Sequence, residues 1–108
     1  MIHIAKDSII NQFSTKDKLD FFQLVANQLN ETENVIRKCD NDHLKLLGDS
    51  IHKLIGALSY LLEKNSLLEL KTLEKKSKEG IFTQADNILL SNHILVMKEE
   101  VEKCINSL

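Results

Sequence analysis

Four histidines and two cysteines are the side chains of this 108-residue chain with the most chemistry to offer. His3 sits in a terminal segment, His43 near the start of a helical pattern and His93 in the middle of the last one, and each has an ordinary structural explanation. No two histidines have the i, i+4 spacing of a helical zinc site and no Cys-x-x-Cys accompanies them, so no metal site is expected. Cys39 and Cys104 belong to no paired motif and read as reduced thiols. His52 stands apart because of its neighbours. Gly48 lies one helical turn before it and Gly56 one turn after it, and these are two of the three glycines in the chain. Glycine inside a helix costs roughly 0.5–1 kcal/mol relative to alanine. Surface stripped of side chains above and below the imidazole would let another protein's backbone approach a nucleophilic ring. The same glycines would equally let a neighbouring helix of the same fold pack closely. The residues alone leave both readings open.

The elements that must hold His52 are helices. From about Lys16 to Lys38, the residues Leu19, Phe22, Val25, Ala26, Leu29 and Ile36 fall on one helical face. Asp40, Asn41 and Asp42 interrupt that pattern and supply candidate caps. From Asp42 to Lys64, the residues Leu44, Leu47, Ile51, Leu54, Leu58 and Leu61 alternate steps of three and four, widened by Ile55 and Leu62. His52 is on the flank of that stripe, about 100° from Ile51. Asn65 and Ser66 offer a break and a cap. Leu67, Leu70 and Leu73 then begin a third stripe ending near Gly80, a residue suited to a helix C′ position. From Phe82 to Leu108 the stripe is Leu90, Ile94, Met97, Val101, Cys104 and Leu108. Four amphipathic segments with short connections predict an all-α protein, an antiparallel four-helix bundle. Residues 1–15, with Ile2, Ile4, Ile9, Ile10 and Phe13, are expected to add a short N-terminal helix covering one end of the 16–108 bundle. The whole of 1–108 reads as one domain, without internal repeat or linker.

Composition narrows the function classes. The chain has no proline, so nothing interrupts long helices. Its net charge of −2 lacks the clustered positive charge of a nucleic-acid binder, and the stretch Lys71 to Lys78, which also holds Glu74, reads as a solvated helix face. No apolar run is long enough to span a bilayer, so no membrane insertion is expected. Met1 to Ile10 has neither a basic leader nor a small-residue cleavage site, which points to a cytoplasmic protein.

The run His52, Lys53, Leu54, Ile55, Gly56, with Leu61 further on, resembles the phosphorylated helix of histidine-containing phosphotransfer (HPt) domains, whose pattern is His, any residue, Leu, Lys, Gly and a later aliphatic residue. The preceding segment with Phe22, Leu29 and Ile36 resembles the family's first long helix. Leu67 to Glu74 followed by Gly80 is similar to its third, and the remainder to its last, so the resemblance covers roughly residues 16 to 108. Two positions depart from the pattern. The family's lysine three residues after the histidine is Ile55 here, and Leu62 replaces the glycine that ends the helix in many members, so this helix is expected to run on to about Lys64.

The resemblance implies a phosphocarrier of a two-component phosphorelay, taking a phosphoryl group on His52 and returning it in exchange with receiver-domain aspartates. No cofactor belongs to the chain itself. The response-regulator receiver domain, or a hybrid sensor kinase bearing one, would supply the acidic pocket and the magnesium ion. Gly48 and Gly56 would then give steric clearance, and Lys45, Lys53 and Ser59 are the candidate phosphate or docking contacts. The carrier is expected to be monomeric and not a complete enzyme. Ile55 motivates an alternative within the same fold, a degenerate adaptor that binds a receiver or kinase without carrying phosphate. A purely structural bundle is the alternative from a different class.

Overall fold

The computed structural model describes residues 12–38 and 43–108. The described residues form four α-helices: α1 (Thr15–Lys38), α2 (Leu44–Leu58), α3 (Lys64–Lys78) and α4 (Gln84–Asn106). Five residues join each helix to the next. Connections this short fold consecutive helices back on one another, which makes the all-α four-helix bundle read from the periodicity. The short N-terminal helix expected before Phe13, and the capping residues Asp40 to Asp42, lie outside the described residues. No helix among the described residues is long and apolar enough to cross a membrane.

The core follows the stripes. Val25 and Leu29 of α1, Leu47, Ile51, Leu54 and Leu58 of α2, Leu70 and Leu73 of α3, and Leu90, Ile94, Met97 and Val101 of α4 are all buried. Burial of each such side chain stabilises the fold by roughly 1.5–3 kcal/mol before chain entropy is counted. α2 packs most extensively, against α3 and α1, while α4 rests mainly on α1 and only lightly on α3. The step from Leu29 to Ile36 on α1 is filled by Thr32, which is fully buried. Its hydroxyl donates to the Gln28 carbonyl and lies 2.9 Å from the Ser50 hydroxyl of α2, so no polar group is stranded at that crossing.

Two boundaries differ from expectation. α2 does not run on to Lys64 but ends at Leu58, because the Leu61 and Leu62 amides both turn back to the Leu58 carbonyl and the Ser59 hydroxyl donates to Gly56 O. That tight turn tucks Leu61 and Leu62 into the core. α3 consequently begins at Lys64, earlier than the expected Leu67, and Ser66 is fully buried in its first turn. Its far end matches the glycine argument. Gly80 adopts φ +74°, its amide donates to Ser77 O and the Ile81 amide to Lys76 O, the paired bonds of a Schellman motif. α4 opens with a capping box, in which the Asp86 amide donates to the Thr83 hydroxyl and the Thr83 amide to the Asp86 carboxylate.

Candidate functional site

α2 and α3 are held together along the side that carries His52. Gly48 faces α3 directly: a Cβ placed there would lie 2.7 Å from Cγ of Lys78 and 3.6 Å from the Glu74 carbonyl. The absent side chain therefore makes room for α3, and the Lys78 stem lies over the gap. Gly56 is different. A Cβ there would meet nothing within 4 Å, so the surface one turn beyond His52 is bare and open to solvent. Of the two bracketing glycines, one serves helix packing and the other leaves clearance.

That packing brings α3 side chains to the imidazole. His52 Nδ1 lies 3.3 and 3.2 Å from the two carboxylate oxygens of Glu74, and Lys78 Nζ donates to Glu74 Oε2 at 2.9 Å. The His52 side chain is 71% exposed, whereas that of Glu74 is 16% exposed. A half-buried, positioned carboxylate thus anchors one edge of an otherwise solvent-facing ring. Burial alone would raise the Glu74 carboxyl, but hydrogen bonds and charge from Lys78 and His52 outweigh it and hold the group below its ordinary value. It is an anion, and an anion only accepts, so Nδ1 carries the proton and donates. In a neutral ring the remaining lone pair is then on Nε2, the free edge.

An open cleft of about 430 Å³ adjoins the ring, lined by His52, Ile55, Lys71, Glu74, Lys75, Lys78 and Glu79. Three lysines of α3 therefore stand where Ile55 leaves α2 without one. Lys45, Lys53 and Ser59 do not line this cleft; all three are exposed on α2 or its end, and the Ser59 hydroxyl is committed to the Gly56 carbonyl. Glu74, Lys71, Lys75 and Lys78 were not visible as site residues, since their stretch reads as a solvated face. The signal that could have found them is Gly48, a helical glycine that must face a close neighbour. No group of three or more His, Cys, Asp or Glu that could hold a metal ion occurs among the described residues.

Fold and site define a small helical bundle that presents one anchored histidine on a lysine-bearing cleft. The chain is similar to Ribonuclease 3 of Phytoplasma mali (strain AT), 32% identical over 80 residues, which cover 69% of this chain and 35% of that relative. It thus spans about a third of the relative's length. No protein-family model matches the chain. No solved structure matches it either.

Proposed function

We propose that the protein is a cytoplasmic phosphocarrier that exchanges a phosphoryl group between His52 and an aspartate of a receiver domain. The observation that carries this reading is the placement of His52, anchored at Nδ1 by Glu74, open at Nε2, and beside bare surface at Gly56. The Nε2 lone pair attacks phosphorus of the partner's aspartyl phosphate in line. The N–P bond forms as the P–O bond to the aspartate breaks, and the carboxylate leaves with the electron pair. Nδ1 keeps its proton throughout, so the phosphorylated ring is cationic and its charge falls against Glu74. Lys71, Lys75 and Lys78 give the incoming phosphoryl oxygens a positive surround in place of the lysine that Ile55 replaces. The partner brings the magnesium ion and the acidic pocket.

The test is intact mass after incubation with phosphoramidate, for the protein and its His52→Gln variant. A gain of one phosphoryl group that is lost in acid and absent from the variant supports the reading. No gain, with a receiver domain still bound by both proteins, favours the degenerate adaptor. A protein that neither gains phosphate nor binds any receiver leaves the structural bundle.

A second reading comes from the similarity to Ribonuclease 3, a name that implies action on RNA. The α3 lysines that line the cleft are the groups that would meet an RNA backbone, so this reading is of RNA binding through Lys71, Lys75 and Lys78. Salt-dependent binding of a labelled RNA, weakened by Lys71→Ala and Lys75→Ala together but not by His52→Gln, would favour it.

A further inference from the structure

The cleft beside His52 holds more positive charge than its own carboxylates balance. Lys78 is committed to Glu74 at 2.9 Å, and Lys75 stands 4.0 Å from Glu79. Lys71, exposed on the same wall, has no ion-pair partner among the described residues. α3 runs antiparallel to α2, with Glu74 and Lys78 against Gly48. Lys71, one turn before Glu74, therefore stands toward Ile55 and the bare surface at Gly56. Ile55 lines the cleft yet is only 8% exposed, which makes it an apolar floor. A nucleophilic nitrogen, a spare cation and an apolar floor thus share one open cleft of about 430 Å³, built by this chain alone. We propose that small acyl phosphates, of which acetyl phosphate is the simplest, enter this cleft and phosphorylate His52 directly.

The activity rests on His52 being a phosphocarrier and gives the same nitrogen a second donor. An aspartyl phosphate is itself an acyl phosphate, so a free one presents the same bond to Nε2. What differs is the surroundings. A receiver domain brings its own magnesium ion, whereas a free donor finds its counter-charge in the cleft, at Lys71. Nε2 attacks phosphorus and the N–P bond forms. The P–O bond to the acyl group breaks, its electron pair leaves on the carboxylate, and Nδ1 keeps the proton it donates to Glu74. In-line displacement directs the leaving carboxylate away from the ring. Charge that develops on the phosphoryl and leaving oxygens then falls near Lys71, while a short acyl chain lies on Ile55. The cleft is of a size with small-molecule sites, which span roughly 300–1,000 Å³.

Intact mass of the full chain tests this, after incubation with acetyl phosphate and, separately, with phosphoramidate, both with EDTA to remove metal ions. The expected result is one acid-labile phosphoryl group from either donor on the wild type and from neither on His52→Gln. Lys71→Ala is expected to lower the second-order rate with acetyl phosphate by about tenfold or more. Lys71→Arg should retain most of that rate. Lys103→Ala, which removes the same charge from α4, should leave it unchanged. Modification by phosphoramidate but not by acetyl phosphate would overturn the direct donor and leave the phosphocarrier reading standing. Modification by neither would overturn both. An acetyl group gained in place of the phosphoryl group would show attack at carbon and overturn the direct donor as well. Equal rates in wild type and Lys71→Ala would overturn the cleft as the donor's site, because its counter-charge would be idle.

Discussion

His52 and Glu74 are 22 residues apart and on different helices, yet a carboxylate oxygen of Glu74 lies 3.2 Å from His52 Nδ1. The contact exists because Gly48 lets α3 close on α2 just one turn below the histidine. Glu74 is in turn pinned by Lys78 at 2.9 Å, so the three side chains form a short relay from packed interior to open solvent. A ring held at one nitrogen has its other nitrogen aimed, and aim matters for an in-line displacement.

The first prediction concerns that aim. Glu74→Ala frees the ring and removes the counter-charge of the phosphorylated state, and is expected to slow His52 phosphorylation by roughly 10–100-fold. Glu74→Gln keeps an acceptor for Nδ1–H and is expected to fall between wild type and alanine. Rates of acid-labile phosphate incorporation, followed by intact mass, check both. Equal rates in all three proteins would remove Glu74 from any role in positioning.

The two glycines should answer differently to the same change. A methyl group at Gly56 meets nothing within 4 Å, so Gly56→Ala is expected to stabilise the fold by roughly 0.5–1 kcal/mol through helix propensity alone. Gly56→Leu should leave helical content intact and abolish transfer from a receiver domain by blocking its approach. Gly48→Ala drives a Cβ to 2.7 Å from Lys78 Cγ, and should lower the melting temperature while displacing Lys78 from Glu74. Thermal melts of Gly56→Ala and Gly48→Ala give the comparison; stabilisation by both would contradict the packing described for Gly48.

Much of the fold was legible because apolar residues at steps of three and four mark a helical face, and four such faces without proline leave few arrangements. The end of α2 was misread for the same reason. Leu61 and Leu62 keep the helical spacing after Leu58, yet they are buried by a turn, and spacing cannot distinguish the two. Thr32, Ser66 and Ser77 are buried polar residues that periodicity counts as surface; Ser77 is satisfied by the Leu44 carbonyl across the α2–α3 contact, a partner invisible along the chain. The site was half legible. His52 and its glycines are local in sequence, whereas Glu74 and Lys78 reach it only through the way α3 packs on α2.

The capping box of α4 should show in acid. The Thr83 backbone amide, more than the neighbouring Lys76, holds the Asp86 carboxyl below its ordinary value against the opposing effect of burial. A carboxyl depressed in the folded chain stabilises it above the unfolded value of about 3.9, and this stability is lost as pH falls through the folded value. Asp86→Asn is expected to cost about 1 kcal/mol at neutral pH and to flatten the loss of stability below pH 4. Urea titrations at pH 7 and pH 3 measure both, and an equal cost at the two pH values would show that the charge of Asp86 is not what matters.

His93 should act in a different window, with the opposite group titrating. Its side chain is buried on α4, and Nε2 lies 3.3 Å from the Glu69 carboxylate of α3 without the alignment of a hydrogen bond. Burial pushes the imidazole below its ordinary value, and the charge of Glu69 only partly offsets this. The folded chain therefore keeps His93 neutral at pH values where the unfolded chain already binds a proton. That difference favours unfolding progressively as pH falls through about 6.5, the ordinary histidine value, toward the lowered one. Melting temperature is accordingly expected to fall between pH 7.5 and pH 5.5, and to fall less in His93→Gln, which cannot take up the proton. Because Asp86 titrates well below this range, a difference between the two proteins confined to it belongs to His93. Parallel melting curves for wild type and His93→Gln across that range would show that the buried ring accepts its proton without cost.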